Sequence, residues 1–85
     1  MVSGAEAEHL DELGDELRRR LGRELRRVRE AAEVPRRAVR ALAGVTARTI
    51  ERIEAGQSYP RPRTLAAYES LCGVVVLVGR RQEQG

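Results

Sequence analysis

The sequence contains no lysine, phenylalanine or tryptophan, and only one cysteine and one histidine among its 85 residues. Each shortage removes a class of explanation. Without large aromatics, a core must come from Leu, Val, Ile and Ala, a supply that suits side chains packed between short helices. Cys72 alone cannot form an internal disulfide, and no Cys/His cluster offers ligands for zinc. Small chains commonly gain stability from a disulfide, a metal or self-association, which leaves self-association. His9 stands alone, and Ser3, Ser58 and Ser70 have no base nearby in the sequence, so no enzyme active site and no cofactor is expected. The longest apolar run, Val74–Val78, is too short to cross a membrane. The acidic N-terminus lacks an apolar run and does not read as a signal peptide. The expectation is therefore a cytoplasmic protein.

What the chain does have is arginine, unevenly placed. Residues 1–16 carry six acids and no arginine, whereas residues 17–85 carry all sixteen arginines against seven acids. The net charge of +3 therefore hides a basic body behind an acidic head. A basic body of this size points to a polyanionic partner, most simply nucleic acid.

Apolar periodicity organises the first half. Leu10, Leu13, Leu17, Leu21, Leu25, Val28 and Ala32 recur at spacings of three and four, which keeps them on one stripe of a helix. The reading is an amphipathic helix from near Ala5 to near Glu33, either broken or only weakened at Gly14 and Gly22. Acids crowd its start and arginines its middle, an order that suits the helix dipole. It also sets up i,i+4 pairs Asp15–Arg19 and Glu16–Arg20.

Pro35 resets the chain at the opening of a second helix, with Val39, Leu42 and Ala43 as its inner face. Gly44 ends it and Val45 plugs the turn. Thr46 is a good N-cap for a third helix, and Gly56 is a left-handed terminator. Leu65, Tyr68, Leu71 and Cys72 line one face of a fourth helix from about Pro62 to Gly73. Cys72 reads as a buried inert thiol, and both tyrosines as packing residues. Val74, Val75, Val76, Leu77 and Val78 read as a short strand. Three regions follow: a helical extension over 1–20, a helical domain over 21–73, and a strand with a polar tail over 74–85.

Two short helices joined by a glycine turn, the second opened by a threonine cap, describe a helix-turn-helix. Ile50 and Ile53 would bury the back of the second helix and hold Arg48, Glu51 and Arg52 outward. That helix, about 10–12 Å across, fits a major groove roughly 12 Å wide.

LRRVREAA, AGVTARTIERIEAG and YPRPRTLAAYESLCGV together resemble the Cro/repressor-like (XRE-type) helix-turn-helix proteins of phages and bacteria, from about Leu25 to Val74. The resemblance implies an all-α fold, a lambda-repressor-like bundle of four to five helices, here with an N-terminal helical extension and a short C-terminal β-strand. It implies a regulator of transcription that binds duplex DNA, with Thr46, Ala47, Arg48, Glu51 and Arg52 at or near base edges. Arg36, Arg37, Gln57, Ser58, Arg61 and Arg63 would meet the sugar-phosphate backbone. Arg29 and Glu54 would form an ion pair tying the first helix to the third. Glu33 replaces a common glycine, Pro35 a common serine cap, and Arg40 a common small alanine.

Two segments outside this core suggest a homodimer: the stripe Leu10, Leu13, Leu17 and the strand Val74–Val78. The resulting expectation is a dimeric repressor on a palindromic operator, in the manner of a phage switch protein or an antitoxin, near the bacterial nucleoid. The alternatives are a protein-interaction adaptor or partner-binding antitoxin using the acidic N-terminal segment, and an excisionase-like protein that bends DNA.

Overall fold

The computed structural model describes residues 4–73. Four helices follow in chain order: α1 Gly4–Ala31, α2 Arg36–Ala43, α3 Ala47–Glu54 and α4 Pro62–Cys72. The strand expected over Val74–Val78 lies outside the described residues, so the fold among those residues is all-helical.

The 28 residues of α1 form one unbroken helix, continuous through residue 20, where the extension was expected to end. Neither glycine breaks it, and the two have different surroundings. Gly22 is buried against the end of α3: a Cβ there would lie 2.5 Å from the Ile53 carbonyl oxygen and 2.9 Å from that of Glu54. The backbone of α1 and the end of α3 approach closely there. Gly14 has nothing within 4 Å of where a Cβ would be. Gly14→Ala is therefore expected to stabilise the protein by about 1 kcal/mol through helix propensity alone. A thermal melt would show it, and a loss of stability would mean that Gly14 has a contact beyond this fold.

The charges on α1 pair differently from the i,i+4 expectation. Asp15 Oδ1 meets Arg18 Nη2 at 2.7 Å, and Glu16 Oε1 meets Arg19 Nη2 at 3.1 Å, both i,i+3. The reason is tertiary. Arg18 also donates from Nε to the Gly56 carbonyl at 2.7 Å, which holds its guanidinium on the side of Asp15.

Turn chemistry sets the remaining helix ends. At the end of α1, Glu33 sits at φ 59 in the left-handed region, where a glycine would be unstrained. It closes a reverse turn in which Val34 N–H reaches back to the Arg29 carbonyl at 3.0 Å. Gly44 at φ 73 caps α2, with its N–H on the Arg40 carbonyl. Thr46 caps α3, its hydroxyl oxygen accepting from Thr49 N–H at 3.2 Å. Gly56 at φ 79 ends the next turn, and it also packs on Arg19, whose Cα would lie 2.8 Å from an added Cβ.

The core is Leu25, Val39, Ala43, Ile50, Ile53, Ala67 and Tyr68, with Leu21, Val34, Val45, Leu65 and Cys72 packed around it. Two residues expected inward are not there. Leu42 and Leu71 are exposed. Small Ala43 and Ala67 take the interior instead, and buried Tyr68 fills the volume that a leucine-only core would lack. Cys72 is half-buried rather than buried, and burial pushes its thiol pKa up, which keeps it weakly reactive. Arg40 is exposed. Its stem lies in solvent, and Val39 and Ala43 on either side supply the buried positions of α2.

Candidate nucleic-acid interface

α3 is eight residues long, and its two sides differ sharply. Ile50 and Ile53 are buried against the body, while Ala47, Arg48, Glu51, Arg52 and Ala55 are exposed. Neither Arg48 nor Arg52 has an ion pair among the described residues. Thr46, at the N-cap, is exposed as well, and its hydroxyl lies 3.1 Å from that of Thr49. The cap therefore fixes the entry of the helix and leaves the front open.

The back of α3 is fixed by Glu54, whose carboxylate takes four hydrogen bonds. Oε2 accepts from Arg29 Nε at 2.7 Å and from the Tyr68 hydroxyl at 2.6 Å. Oε1 accepts from Arg29 Nη2 at 2.9 Å and from Arg36 Nε at 3.1 Å. The Arg29 and Glu54 side chains are 8% and 3% exposed. Arg29 also donates Nη1 to the Val34 carbonyl at 3.0 Å. One carboxylate thus joins α1, α2, α3 and α4. Burial alone would raise its pKa, but the hydrogen bonds from Arg29, Tyr68 and Arg36 together hold it below the usual carboxylate range. Burial and the bond to Glu54 push the Tyr68 phenol well above its usual value.

Arg36 belongs to both the frame and the surface. Its Nε is bonded to Glu54, yet its side chain is 45% exposed. Arg37, Arg61 and Arg63 are exposed and have no ion pair among the described residues. Arg63 also reaches the turn of the motif, its Nη2 within 3.8 Å of a Cβ built on Gly44. Gln57 is exposed and Ser58 half-buried, in a loop held against α1. There Arg18 donates to the Gly56 carbonyl, the Tyr59 hydroxyl donates to the Gly14 carbonyl at 2.9 Å, and the Arg18 guanidinium lies 5.8 Å from the centre of the Tyr59 ring. Tyr59 is thus an exposed clamp on α1 rather than a core residue. From residue 36 to residue 63 the chain has seven arginines against Glu51 and Glu54. Because Glu54 is buried among its partners, the surface of this stretch is almost wholly positive.

Sequence reasoning paired Arg29 with Glu54 but missed Tyr68 and Arg36 as partners of the same carboxylate. It also missed the loop clamps. These contacts join residues 14 to 45 positions apart, and no periodicity carries that information.

A sequence model for the helix-turn-helix domain matches residues 20–81. The chain belongs to the helix-turn-helix domain family. Neither a curated protein nor a solved structure gives a significant match to it. Membership points to a DNA-binding regulator, and α2 and α3, the two short helices on either side of Gly44, fall within the matched residues. No group of three or more His, Cys, Asp or Glu side chains among the described residues is placed to hold a metal ion. No helix among them is long and apolar enough to cross a membrane.

Proposed function

We propose that this helix-turn-helix protein is a sequence-specific transcriptional regulator of the Cro/repressor-like type, acting as a dimeric repressor on a palindromic operator. One observation carries the reading: α3 buries its aliphatic side and presents Arg48 and Arg52 outward, free of ion pairs among the described residues. Lying in a major groove, α3 would place Thr46, Ala47, Arg48, Glu51 and Arg52 beside base edges. Arg48 is suited to bidentate hydrogen bonds with a guanine edge, a contact worth roughly 1–3 kcal/mol of discrimination. Glu51 either accepts from cytosine or orients a neighbouring arginine. Arg36, Arg37, Gln57, Ser58, Arg61 and Arg63 would meet phosphates on either side. Glu54, bonded to Arg36 Nε, would hold that arginine toward the backbone.

Selection of bound duplexes from a random pool tests the reading directly, and an enriched palindrome is the expected result. Two substitutions separate the two kinds of contact. Arg48→Ala should erase preference among operator variants, a loss of roughly tenfold or more at one base position. Arg61→Ala should weaken all duplexes alike and lower the slope of log affinity against log salt by about 1. Binding that is unaffected by both changes, or a pool with no enriched motif, would refute the assigned surface.

A further inference from the structure

We propose that α1 pairs antiparallel with α1 of a second copy of this chain, along Leu10, Leu13 and Leu17. This specifies the dimer of the reading above, and it rests on that reading only for its consequence at an operator.

The three leucines are 59%, 46% and 40% exposed on a helix that is otherwise well anchored. The same stripe meets the body further along, where Leu21 packs against the core and Leu25 is buried in it, whereas Leu10, Leu13 and Leu17 lie N-terminal to those contacts. The body of the same chain therefore leaves that stretch open. The stripe is also held straight. The Tyr59–Gly14 bond and the Arg18–Gly56 bond fasten α1 at its middle, so residues 4–13 continue as a rod about 15 Å long.

The charges select the partner and its direction. Residues 6–12 hold Glu6, Glu8, Asp11 and Glu12 with no arginine, and residues 18–23 hold Arg18, Arg19, Arg20 and Arg23 with no acid. A two-fold axis through residue 15 lays the acidic stretch of each copy beside the basic stretch of the other. It also sets Leu13 of each copy against Leu17 of the other, and Leu10 against the aliphatic stem of Arg20. Residues 6–24 then overlap over about 28 Å. A parallel pair would set acid against acid at one end and arginine against arginine at the other. Glu8, Asp11, Glu12 and Arg20 have no ion pair among the described residues and are available for this pairing. A second copy supplies both halves of the complement by symmetry.

Sedimentation equilibrium of the full chain at up to about 100 µM, without DNA, tests the pairing. The expected result is a dimer that weakens as salt rises. Leu13→Ser combined with Leu17→Ser should raise its dissociation constant at least about tenfold while helical circular dichroism is retained. Direction is read by disulfide capture in a Cys72→Ser background. A Leu10→Cys chain mixed with an Arg20→Cys chain should give the mixed disulfide in preference to Leu10→Cys chains joined to each other. A monomer at every concentration, a dimer indifferent to the leucine changes, or preferential joining of two Leu10→Cys chains would each overturn the proposal. Operator binding is scored separately by duplex selection, so a failed dimer leaves half-site recognition standing.

Discussion

Glu54→Ala is expected to lose about 3–5 kcal/mol of stability, the cost of leaving a buried charge without its partner. That is a large share of the roughly 5–15 kcal/mol that holds a small domain folded. The carboxylate accepts from Arg29 twice and from Tyr68 and Arg36 once each. Its removal leaves the buried Arg29 guanidinium with the Val34 carbonyl and no counter-charge. It also strands the Tyr68 hydroxyl in the core. Urea denaturation followed by circular dichroism would measure the loss. Tyr68→Phe should cost less, about 1–3 kcal/mol, and Arg36→Ala, which removes a half-exposed partner, no more than about 1 kcal/mol. A Glu54→Ala midpoint close to that of the parent protein would show that the buried pair does not hold the helices together.

The same carboxylate gives a pH dependence of definite sign. The pKa of Glu54 is lower in the folded protein than its ordinary value of 4.5, so on acidification the unfolded chain takes up the proton first. The stabilisation is therefore fully present above about pH 4.5 and is lost as pH falls through the folded value. Glu24, bonded to Arg27, is shifted in the same direction. Glu54→Gln should flatten most of the acid limb, and Glu24→Gln should leave it largely in place. On the alkaline side, the raised pKa of Tyr68 preserves stability below about pH 10, with loss above it.

Gly22→Ala is the second change expected to be severe, with a net loss of up to about 2 kcal/mol, because the clash falls at the costly end of overpacking. Overpacking typically costs about 1–3 kcal/mol and sometimes more, and alanine returns about 1 kcal/mol through helix propensity. The steric side wins because the obstructing atoms are the carbonyl oxygens of Ile53 and Glu54. These belong to the end of α3 and cannot rotate away as a side chain would. α1 must lift from α3, which disturbs both the Arg29–Glu54 pair and the seating of the proposed DNA-binding surface. Weaker duplex binding should accompany the stability loss. A gain in melting temperature, of the kind expected for Gly14→Ala, would show that the two helices do not cross at Gly22.

The contrast between these two glycines shows where reading the sequence stops. In the chain both are glycines inside a leucine-periodic segment, and both read as possible breaks. Only the position of α3 makes one a crossing point and the other an open site. The helix-turn-helix was legible because its signals are local: a glycine in the left-handed region, a threonine cap three residues before its partner N–H, and isoleucines three apart on one side. Arg48, Glu51 and Arg52 were placed outward by the same short-range periodicity. Leu42 and Leu71 were misplaced because periodicity marks an apolar side without saying how close the facing helix comes. Small alanines at 43 and 67 occupy the interior instead, and the leucines at the margins remain in solvent.

Local chemistry in the sequence determined the helix content, the helix ends, the glycine turn and the division into an acidic head and a basic body. Each depends on atoms within about one or two turns of each other. Tertiary structure alone decided that Glu54 serves four helices, that Gly22 is a contact, that Tyr59 clamps the loop to α1, and that three leucines of α1 stay uncovered. Those outcomes depend on which distant segments meet and at what separation. That is fixed by packing the whole chain at once, and no short window of sequence contains it.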